Sequence, residues 1–249
     1  MSILLVGETG DIHWAISLEA ADAEGPLEMP LNCSAALRLV IFAARRTGSS
    51  LLVNELRAIP SVLMHGEIFH VRSLKDPEDG WAGTELPRQK VFDHRRRHPL
   101  PMLHHAQCHP EGHRIVGVKV FRDHLRGDSW HVLTSWCDIC VVLHRRDVRA
   151  QYHSLLVARQ TGRWKGPTRA ELKTGAPIDA NDAEFKAWAQ NQGHWFQTVH
   201  GQLAQRQDTP SVVNLTFEDN LVHASGRRLG PLWRVLLKDH PPVSHQRRH

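Results

Sequence analysis

Apolar residues are grouped along the chain in blocks that predict strands and helices in alternation. The continuous apolar run from Leu39 to Ala44 is typical of a strand that is buried on both faces. Leu52, Leu56 and Ile59 follow at helical spacing, and Pro60 closes the segment that they define. The first part of the pattern therefore predicts a strand, a short turn and a helix.

Three more strands and two more helices are predicted farther along the chain. The strands are the apolar runs 115–121, 139–143 and 211–217. Asp147 is expected to cap a helix whose apolar residues share one face, and Asn181 to begin a long helix that ends near Leu203. This alternation predicts an α/β fold with a central, mostly parallel sheet flanked by helices.

Composition divides the chain into three parts. Residues 38–222 carry the strand and helix pattern, whereas residues 1–37 are an N-terminal extension, either an edge hairpin or an ill-ordered arm. Residues 223–249 form a basic C-terminal segment. Residues 72–113 and 160–181 are rich in polar and turn-forming residues, so both are expected to be irregular.

The charge of the chain favours an anionic ligand. Lysine and arginine number 31 against 26 aspartate and glutamate, which gives a net charge of +5 with histidine neutral. The arginines recur as scattered pairs and the chain has one tyrosine, so contacts to one small ligand are favoured over a nucleic-acid groove. No apolar run has the length of a bilayer span and no secretory pattern is present, so we expect a cytoplasmic protein without a transmembrane segment.

The four cysteines of such a protein are expected to be reduced thiols. Cys137 and Cys140 have the spacing of a zinc or redox pair, and several histidines lie near Cys108 in the sequence. No second tight pair accompanies them, and Cys140 begins an apolar run. A buried structural role is therefore favoured, no metal is expected, and the histidine-rich stretch is predicted to be a solvated loop.

Two strand-to-helix junctions carry the candidate chemistry, because ligands of parallel sheets bind at the carboxyl ends of strands. The first junction reads Arg45-Arg46-Thr47-Gly48-Ser49-Ser50-Leu51. Small residues at a helix start point several backbone N–H groups at one place, where the helix dipole favours an anion. No lysine follows Gly48, as it would in the loop of a nucleoside triphosphatase, and a plain helix cap is the alternative.

The second junction runs from Leu143 to Ser154. Arg145 and Arg146 follow the strand, and Ser154 lies about two helical turns later. The guanidinium groups supply charge with forked donors and the serine supplies a hydroxyl, so a second phosphate is predicted here. Two anion sites on one sheet predict a ligand with phosphates at both ends, and a solvated arginine pair is the alternative.

Five segments of the chain fit one known pattern. They are the strand, turn and helix at 41–57, GEIF at 66–69, GVK at 117–119, the stretch 141–164 and FED at 217–219. In this order they resemble the sulfotransferases that use 3′-phosphoadenosine 5′-phosphosulfate (PAPS), in particular the bacterial carbohydrate type, which includes trehalose sulfotransferases. The resemblance covers about residues 38–222. It implies a P-loop-NTPase-like sulfotransferase fold and transfer of a sulfonate from PAPS to a hydroxyl of a carbohydrate or glycolipid.

The resemblance also assigns roles by position. Arg46 holds the phosphosulfate and stabilises the leaving phosphate, and Glu67 falls at the position of a catalytic carboxylate. Ser154 and one or both of Arg145 and Arg146 bind the 3′-phosphate. The 5′-phosphate and sulfonate are bound, mainly through backbone amides, by Thr47, Gly48, Ser49, Ser50 and Leu51.

Sulfonate transfer to an alcohol requires a base, donors on the developing charge and in-line placement. Glu67 is the candidate base, His65 and His70 are its rivals, and an exposed surface glutamate is the alternative. Glu218 and Asp219 are expected to form a structural turn or helix cap. Two other functions remain open, namely a P-loop-like nucleotide kinase or hydrolase, and a catalytically degenerate protein that binds PAPS or nucleic acid.

Overall fold

The computed structural model describes residues 3–6, 12–15, 36–70, 95–108, 113–126, 129–164, 181–208, 210–221 and 232. Two short strands, β1 (Ile3–Val6) and β2 (Ile12–Ala15), pair antiparallel in a sheet of their own. The main sheet contains β3 (Leu37–Ala43), β4 (Val62–Met64), β5 (Ile115–Val120), β6 (Ile139–His144) and β7 (Ser211–Thr216). The helices are α1 (Ser49–Arg57), α2 (Pro99–Gln107), α3 (Trp130–Trp136), α4 (Val148–Thr161) and α5 (Asp182–Ala204).

All neighbouring strands of the main sheet are parallel, so the predicted α/β fold with a central parallel sheet is confirmed. The strand order is β4-β5-β3-β6-β7. From β3 the chain continues to one side of the sheet, and from β6 it continues to the other side. The carboxyl ends of β3 and β6, where Ala43 lies beside Leu143, therefore form the topological switch point at which such sheets bind ligands.

Both faces of the sheet are covered, as the continuous apolar runs predict. Alternate side chains of a strand point to opposite faces. Leu39 and Ile41 of β3 belong to a core cluster that includes Leu52 and Leu56 of α1. Their neighbours on β3 belong to a second cluster with residues of α2, α3 and α5, and its members include Val40, Phe42, Met102, Leu133 and Trp195.

The predicted helix caps are also present. Asp147 Oδ1 accepts the N–H of Ala150 at 2.8 Å, and Asn181 Oδ1 accepts the N–H of Ala183 at 2.9 Å. Each bond satisfies one of the N–H groups that have no partner within the first turn of a helix. The long helix α5 accordingly begins where it was predicted, and it ends one residue beyond Leu203.

Residues 99–107 correct one prediction, because they form the helix α2 and not an irregular, solvated loop. Met102, Leu103 and Ala106 are buried in the second core cluster. Their spacing is helical, but two prolines and several histidines around them concealed the pattern in the sequence. Three-residue β4 and helix α3 were not predicted either.

The cysteines correct a second prediction. Cys137 and Cys140 form a disulfide whose Cα atoms are 6.1 Å apart, and Cys108 is disulfide-bonded as well. The expectation of reduced thiols is therefore wrong. Both cysteines of the 137–140 bridge are fully buried where α3 ends and β6 begins, and the tight connection between these two elements brings their side chains together.

Several predictions fall on residues that the structure does not describe. They include residues 71–94, 165–180 and 233–249, and most of residues 1–35, so the proposed domain boundaries stay a prediction. Near the N-terminus, the pairing of β1 with β2 agrees with a hairpin, but its strands do not join the main sheet. None of the described helices is long and apolar enough to cross a bilayer.

Candidate functional site

The turn between β3 and α1 is built from two residues in the left-handed region of backbone space. Arg46 has φ 66° and Gly48 has φ 82°. A Cβ atom on Gly48 would lie 2.4 Å from Cδ2 of Phe217, so both its backbone angle and its close packing require glycine. Arg46 has no such freedom, and non-glycine residues in this region persist where their surroundings hold them, often at functional sites.

The backbone amides at the start of α1 lie where the sequence predicts an anion cradle. The N–H of Leu51 donates to Gly48 O at 2.9 Å, and the N–H of Leu52 donates to the same oxygen at 3.1 Å. The N–H of Leu51 is thus used in the first bond of the helix. The N–H groups of residues 48–50 precede that bond and lie at the positive end of the helix dipole.

The side chains of the cradle differ in what they can offer. Thr47 is fully buried, and its hydroxyl donates to Ala44 O at 2.8 Å, so it stabilises the turn. Ser49 is buried, whereas Ser50 is exposed and its Oγ lies 3.2 Å from Lys119 Nζ. Of the two predicted hydroxyls, that of Ser50 faces the other charged groups of the site.

The structure brings the two predicted junctions into direct contact. Arg46 Nε donates to Ser154 Oγ at 2.9 Å, and Arg145 NH1 donates to Arg46 O at 3.2 Å. Burial and, to a lesser extent, the charge of Arg145 lower the pKa of Arg46. Two partly buried guanidinium groups of like charge at one place are stabilised by an anion between or beside them.

The two arginines that the sequence could not separate have different surroundings. Arg146 is 63% exposed and pairs with Asp219, whose side chain is 60% exposed. Arg145 is 19% exposed and packs its guanidinium 4.8 Å from the centre of the Phe217 ring. Its buried Nε lies 3.8 Å from Glu218 Oε1, an ion pair that is too long for a hydrogen bond. Arg145 therefore belongs to the site, and Arg146 belongs to a surface ion pair.

Glu218, in the helical turn Phe217–Leu221 that follows β7, lies at the N-terminus of α4. Its carboxylate accepts the N–H groups of Arg146 at 2.9 Å and Asp147 at 3.1 Å. Burial would raise the pKa of Glu218, but the pKa is lowered by these two N–H groups together with a further backbone hydrogen bond and the charge of Arg145. Glu218 is thus a helix cap, as predicted. Because it fills this helix end, a second anion would be held by side chains and not by the amides of α4.

Glu67 lies just beyond β4 and is linked to the cradle through a lysine. Glu67 Oε1 is 2.9 Å from Lys119 Nζ, the same nitrogen that contacts Ser50. The side chains of Glu67 and Lys119 are 13% and 4% exposed, so the alternative of an exposed surface glutamate is wrong. His65, one of the rival bases, is buried with its Nε2 3.0 Å from Ala106 O.

Lys119 and His124 are site residues that the sequence reasoning missed. Lys119 lies on β5, whose six residues are all buried, and a lysine in such a strand is a signal that could have been used. His124 is fully buried in the short turn Arg122–His124 after β5, with its Nε2 3.6 Å from Glu67 Oε2. Nothing in the sequence distinguishes His124 from the other histidines.

Arg45 lies beside the cradle but is engaged elsewhere. Its guanidinium is 2.6 Å from Asp123 and lies over the rings of Phe121 and Trp164, at 5.3 and 5.7 Å from their centres. Trp164 is 47% exposed, and its backbone oxygen accepts a hydrogen bond from Arg46 NH1 at 2.5 Å. Arg45 therefore supports the wall of the site and leaves Arg46 as the arginine of the cradle.

No protein-family model matches the chain, and no curated protein matches it in sequence. Within the described ranges, no group of three or more histidine, cysteine, aspartate or glutamate residues is arranged to hold a metal ion. The site consists of the backbone amides before α1, two nearby guanidinium groups, a serine hydroxyl, and a carboxylate joined to Ser50 by a buried lysine. This donor set fits a ligand with two separated anionic groups.

Proposed function

We propose that the chain is a PAPS-dependent sulfotransferase with a P-loop-like fold, which acts in the cytoplasm on a hydroxyl of a carbohydrate or glycolipid. The observation that carries the proposal is the 2.9 Å hydrogen bond between Arg46 Nε and Ser154 Oγ. It brings together the two junctions, at the ends of adjacent parallel strands, where the sequence predicts phosphate binding. A ligand with a phosphate at each end of a nucleoside, as in PAPS, matches that arrangement.

Each end of the ligand has its own set of donors in this proposal. The amides of residues 48–50 and the guanidinium of Arg46 bind the 5′-phosphosulfate end. Arg145 and Ser154 bind the 3′-phosphate, the first through its guanidinium group and the second through its hydroxyl. When bound, PAPS supplies a sulfonate that is already activated for transfer.

Glu67 is the proposed general base. It takes the proton of the acceptor hydroxyl as that oxygen attacks sulfur, while Arg46 and the amides stabilise the charge on the departing phosphate oxygen. Lys119 lies between the base and the cradle, 2.9 Å from Glu67 Oε1 and 3.2 Å from Ser50 Oγ. An ammonium group beside a carboxylate favours its ionised form, which is the form that accepts a proton. Metal ions have no role in this proposal, since cationic side chains neutralise the leaving group.

A nucleotide kinase or hydrolase is the second candidate, and one observation favours it. Lys119 places an ammonium group at the cradle from a neighbouring strand, although no lysine follows Gly48 in the sequence. Phosphate-binding loops of nucleoside triphosphatases also place a lysine at the phosphates. The ligand that the site prefers separates this function from sulfonate transfer.

Calorimetric titration tests the proposal. 3′-Phosphoadenosine 5′-phosphate (PAP) should bind with a micromolar or lower Kd, because several charge-assisted hydrogen bonds contribute. Mg-ATP and a single-stranded oligonucleotide should bind at least about tenfold more weakly, a difference of about 1.4 kcal/mol. Tighter binding of Mg-ATP would support the kinase or hydrolase, and tighter binding of the oligonucleotide would support a nucleic-acid-binding protein.

A comparison of PAP with adenosine 5′-phosphate, which lacks the 3′-phosphate, tests the assignment of Arg145. The unmodified protein should prefer PAP by about tenfold or more. Arg145→Ala should abolish most of this preference, whereas the matched variant Arg146→Ala should keep it, because Arg146 pairs with Asp219 at the surface. Loss of the preference in Arg146→Ala, with the preference kept in Arg145→Ala, would show that Arg146 contacts the 3′-phosphate.

A further inference from the structure

The two ring nitrogens of His124 differ in their hydrogen bonding: Nδ1 is hydrogen-bonded within the turn Arg122–His124, and Nε2 is not. Its Nδ1 accepts a hydrogen bond from the N–H of Phe121 at 3.2 Å. An imidazole nitrogen that accepts cannot carry the proton, so the proton of the uncharged ring lies on Nε2. The position of Phe121 directly after β5 thereby fixes the tautomer of His124.

The Nε2 of His124 points at the carboxylate of Glu67. It lies 3.6 Å from Glu67 Oε2, which is longer than a hydrogen bond, and it makes no hydrogen bond with any residue that the structure describes. The side chain of His124 is fully buried. The other carboxylate oxygen, Oε1, already faces Lys119.

The surroundings keep the His124 ring uncharged. Burial lowers its pKa well below 6.5; the carboxylate of Glu67 opposes this, while Arg45, His70 and Lys119 add to it. At neutral pH, Nε2 therefore carries a proton and Nδ1 is occupied, so the ring has no free site at which to accept a proton. His124 is consequently not a rival base to Glu67.

We propose that His124 is a positioning residue for Glu67, in which the Nε2–H closes onto Oε2 while Lys119 holds Oε1. This rests on the proposed function, in which Glu67 is the base. Hydrogen bonds of catalytic groups are often long in unliganded structures and shorten in the reactive complex. With a donor on each oxygen, the carboxylate is fixed in orientation and stays ionised, and a remaining lone pair accepts the proton of the acceptor hydroxyl.

The first experiment measures the tautomer of His124 in the full-length protein by NMR of ¹⁵N-labelled histidine, with the signal assigned from its loss in His124→Gln. The expected result is a ring protonated on Nε2 from about pH 6 to 8. A ring protonated on Nδ1 would overturn the proposal, because its Nε2 could not donate to Glu67. This measurement needs no ligand, and the tautomer itself is read on the unmodified protein.

The second experiment measures the ionisation of Glu67 through its ¹³Cδ signal, assigned with Glu67→Gln. His124→Phe fills the same space but has no hydrogen-bond donor. It should raise the pH at the midpoint of the Glu67 titration by about half to one unit. His124→Gln, whose amide can donate, should restore part of the shift. His65→Phe is the matched control, because His65 is buried but contacts Ala106 O, and it should leave the midpoint unchanged.

An unchanged Glu67 midpoint in His124→Phe, or an equal shift in His65→Phe, would overturn the positioning role. Calorimetry with PAP on the same samples separates this failure from failure of the proposed function. If PAP binds and the midpoint does not move, only the role of His124 is wrong. If PAP does not bind while the tautomer and the midpoint behave as expected, His124 positions Glu67 for a different reaction.

Discussion

Arg46 is the residue that connects the two junctions, through its side chain to Ser154 and through its backbone oxygen to Arg145. In the proposed reaction its charge is needed most as the phosphate oxygen departs. Arg46→Ala should therefore lower turnover by about a hundredfold or more. Ser154→Ala should weaken PAPS binding by about tenfold with a smaller loss of turnover, because its hydroxyl contacts a phosphate that does not react.

Steady-state kinetics with a hydroxyl acceptor, followed as release of PAP, measures both effects. The hydrogen bond between the two side chains adds a second expectation, since residues in contact do not contribute independently. The loss of PAP affinity in the double variant should therefore be smaller than the product of the losses in the two single variants. Equal losses of affinity alone in both single variants would contradict the assigned roles.

Glu67 should be far more important for turnover than either neighbouring histidine. Glu67→Gln keeps the size and hydrogen-bonding capacity of the side chain but cannot take a proton. It should leave PAP affinity almost unchanged and reduce turnover by about two to four orders of magnitude. His65→Ala and His70→Ala should each cost much less. If Glu67→Gln kept near-full turnover and one histidine variant lost turnover, that histidine would be the general base.

At the scale of elements, the turn from β3 to α1 depends on the packing of Gly48 against Phe217. Gly48→Ala places a Cβ 2.4 Å from Phe217 Cδ2 in a residue with φ 82°, so both effects destabilise the fold. A loss of about 1–3 kcal/mol in the free energy of unfolding is expected, together with weaker PAP binding. Denaturant unfolding measures the first effect and calorimetry measures the second.

Gly193 and Gly201 provide matched controls within α5. A Cβ on either glycine would meet no atom within 4 Å, so alanine gains helix propensity there without a clash. Each substitution should stabilise the protein by up to about 1 kcal/mol and leave PAP binding unchanged. A Gly48→Ala variant with the stability of these controls would show that the turn tolerates a side chain.

The sequence predicts elements well where local signals agree and poorly where they compete. The buried run of β3 and the caps at Asp147 and Asn181 are local signals, and the structure confirms them. In α2, prolines and histidines hide the helical spacing, and β4 has only three residues to form a pattern. These elements are stabilised by burial in the tertiary structure, which local propensity does not register.

The same distinction applies to the site. The cradle at 46–50 is contiguous in sequence, so it could be predicted, as could the junction that carries Arg145. The contact between Lys119 and Glu67 joins β5 to the residues after β4, and it depends on the order of strands in the sheet. Which arginine of 145–146 faces the cradle likewise depends on Glu218 and Asp219, more than 70 positions farther along the chain.

For the whole molecule, the proposal predicts that PAP stabilises the fold. A ligand that binds only the native state adds RT ln(1 + [L]/Kd), which is about 2.7 kcal/mol at a concentration one hundredfold above Kd. For a chain of this size that corresponds to a rise of about 5–10 °C in Tm. Because the proposed donors are amides and cationic side chains, the rise should be the same in EDTA and in magnesium, and smaller with adenosine 5′-phosphate. Thermal unfolding with each ligand measures it. Absence of a shift with millimolar PAP, beside a clear shift with Mg-ATP, would reject sulfonate transfer in favour of a nucleotide kinase or hydrolase.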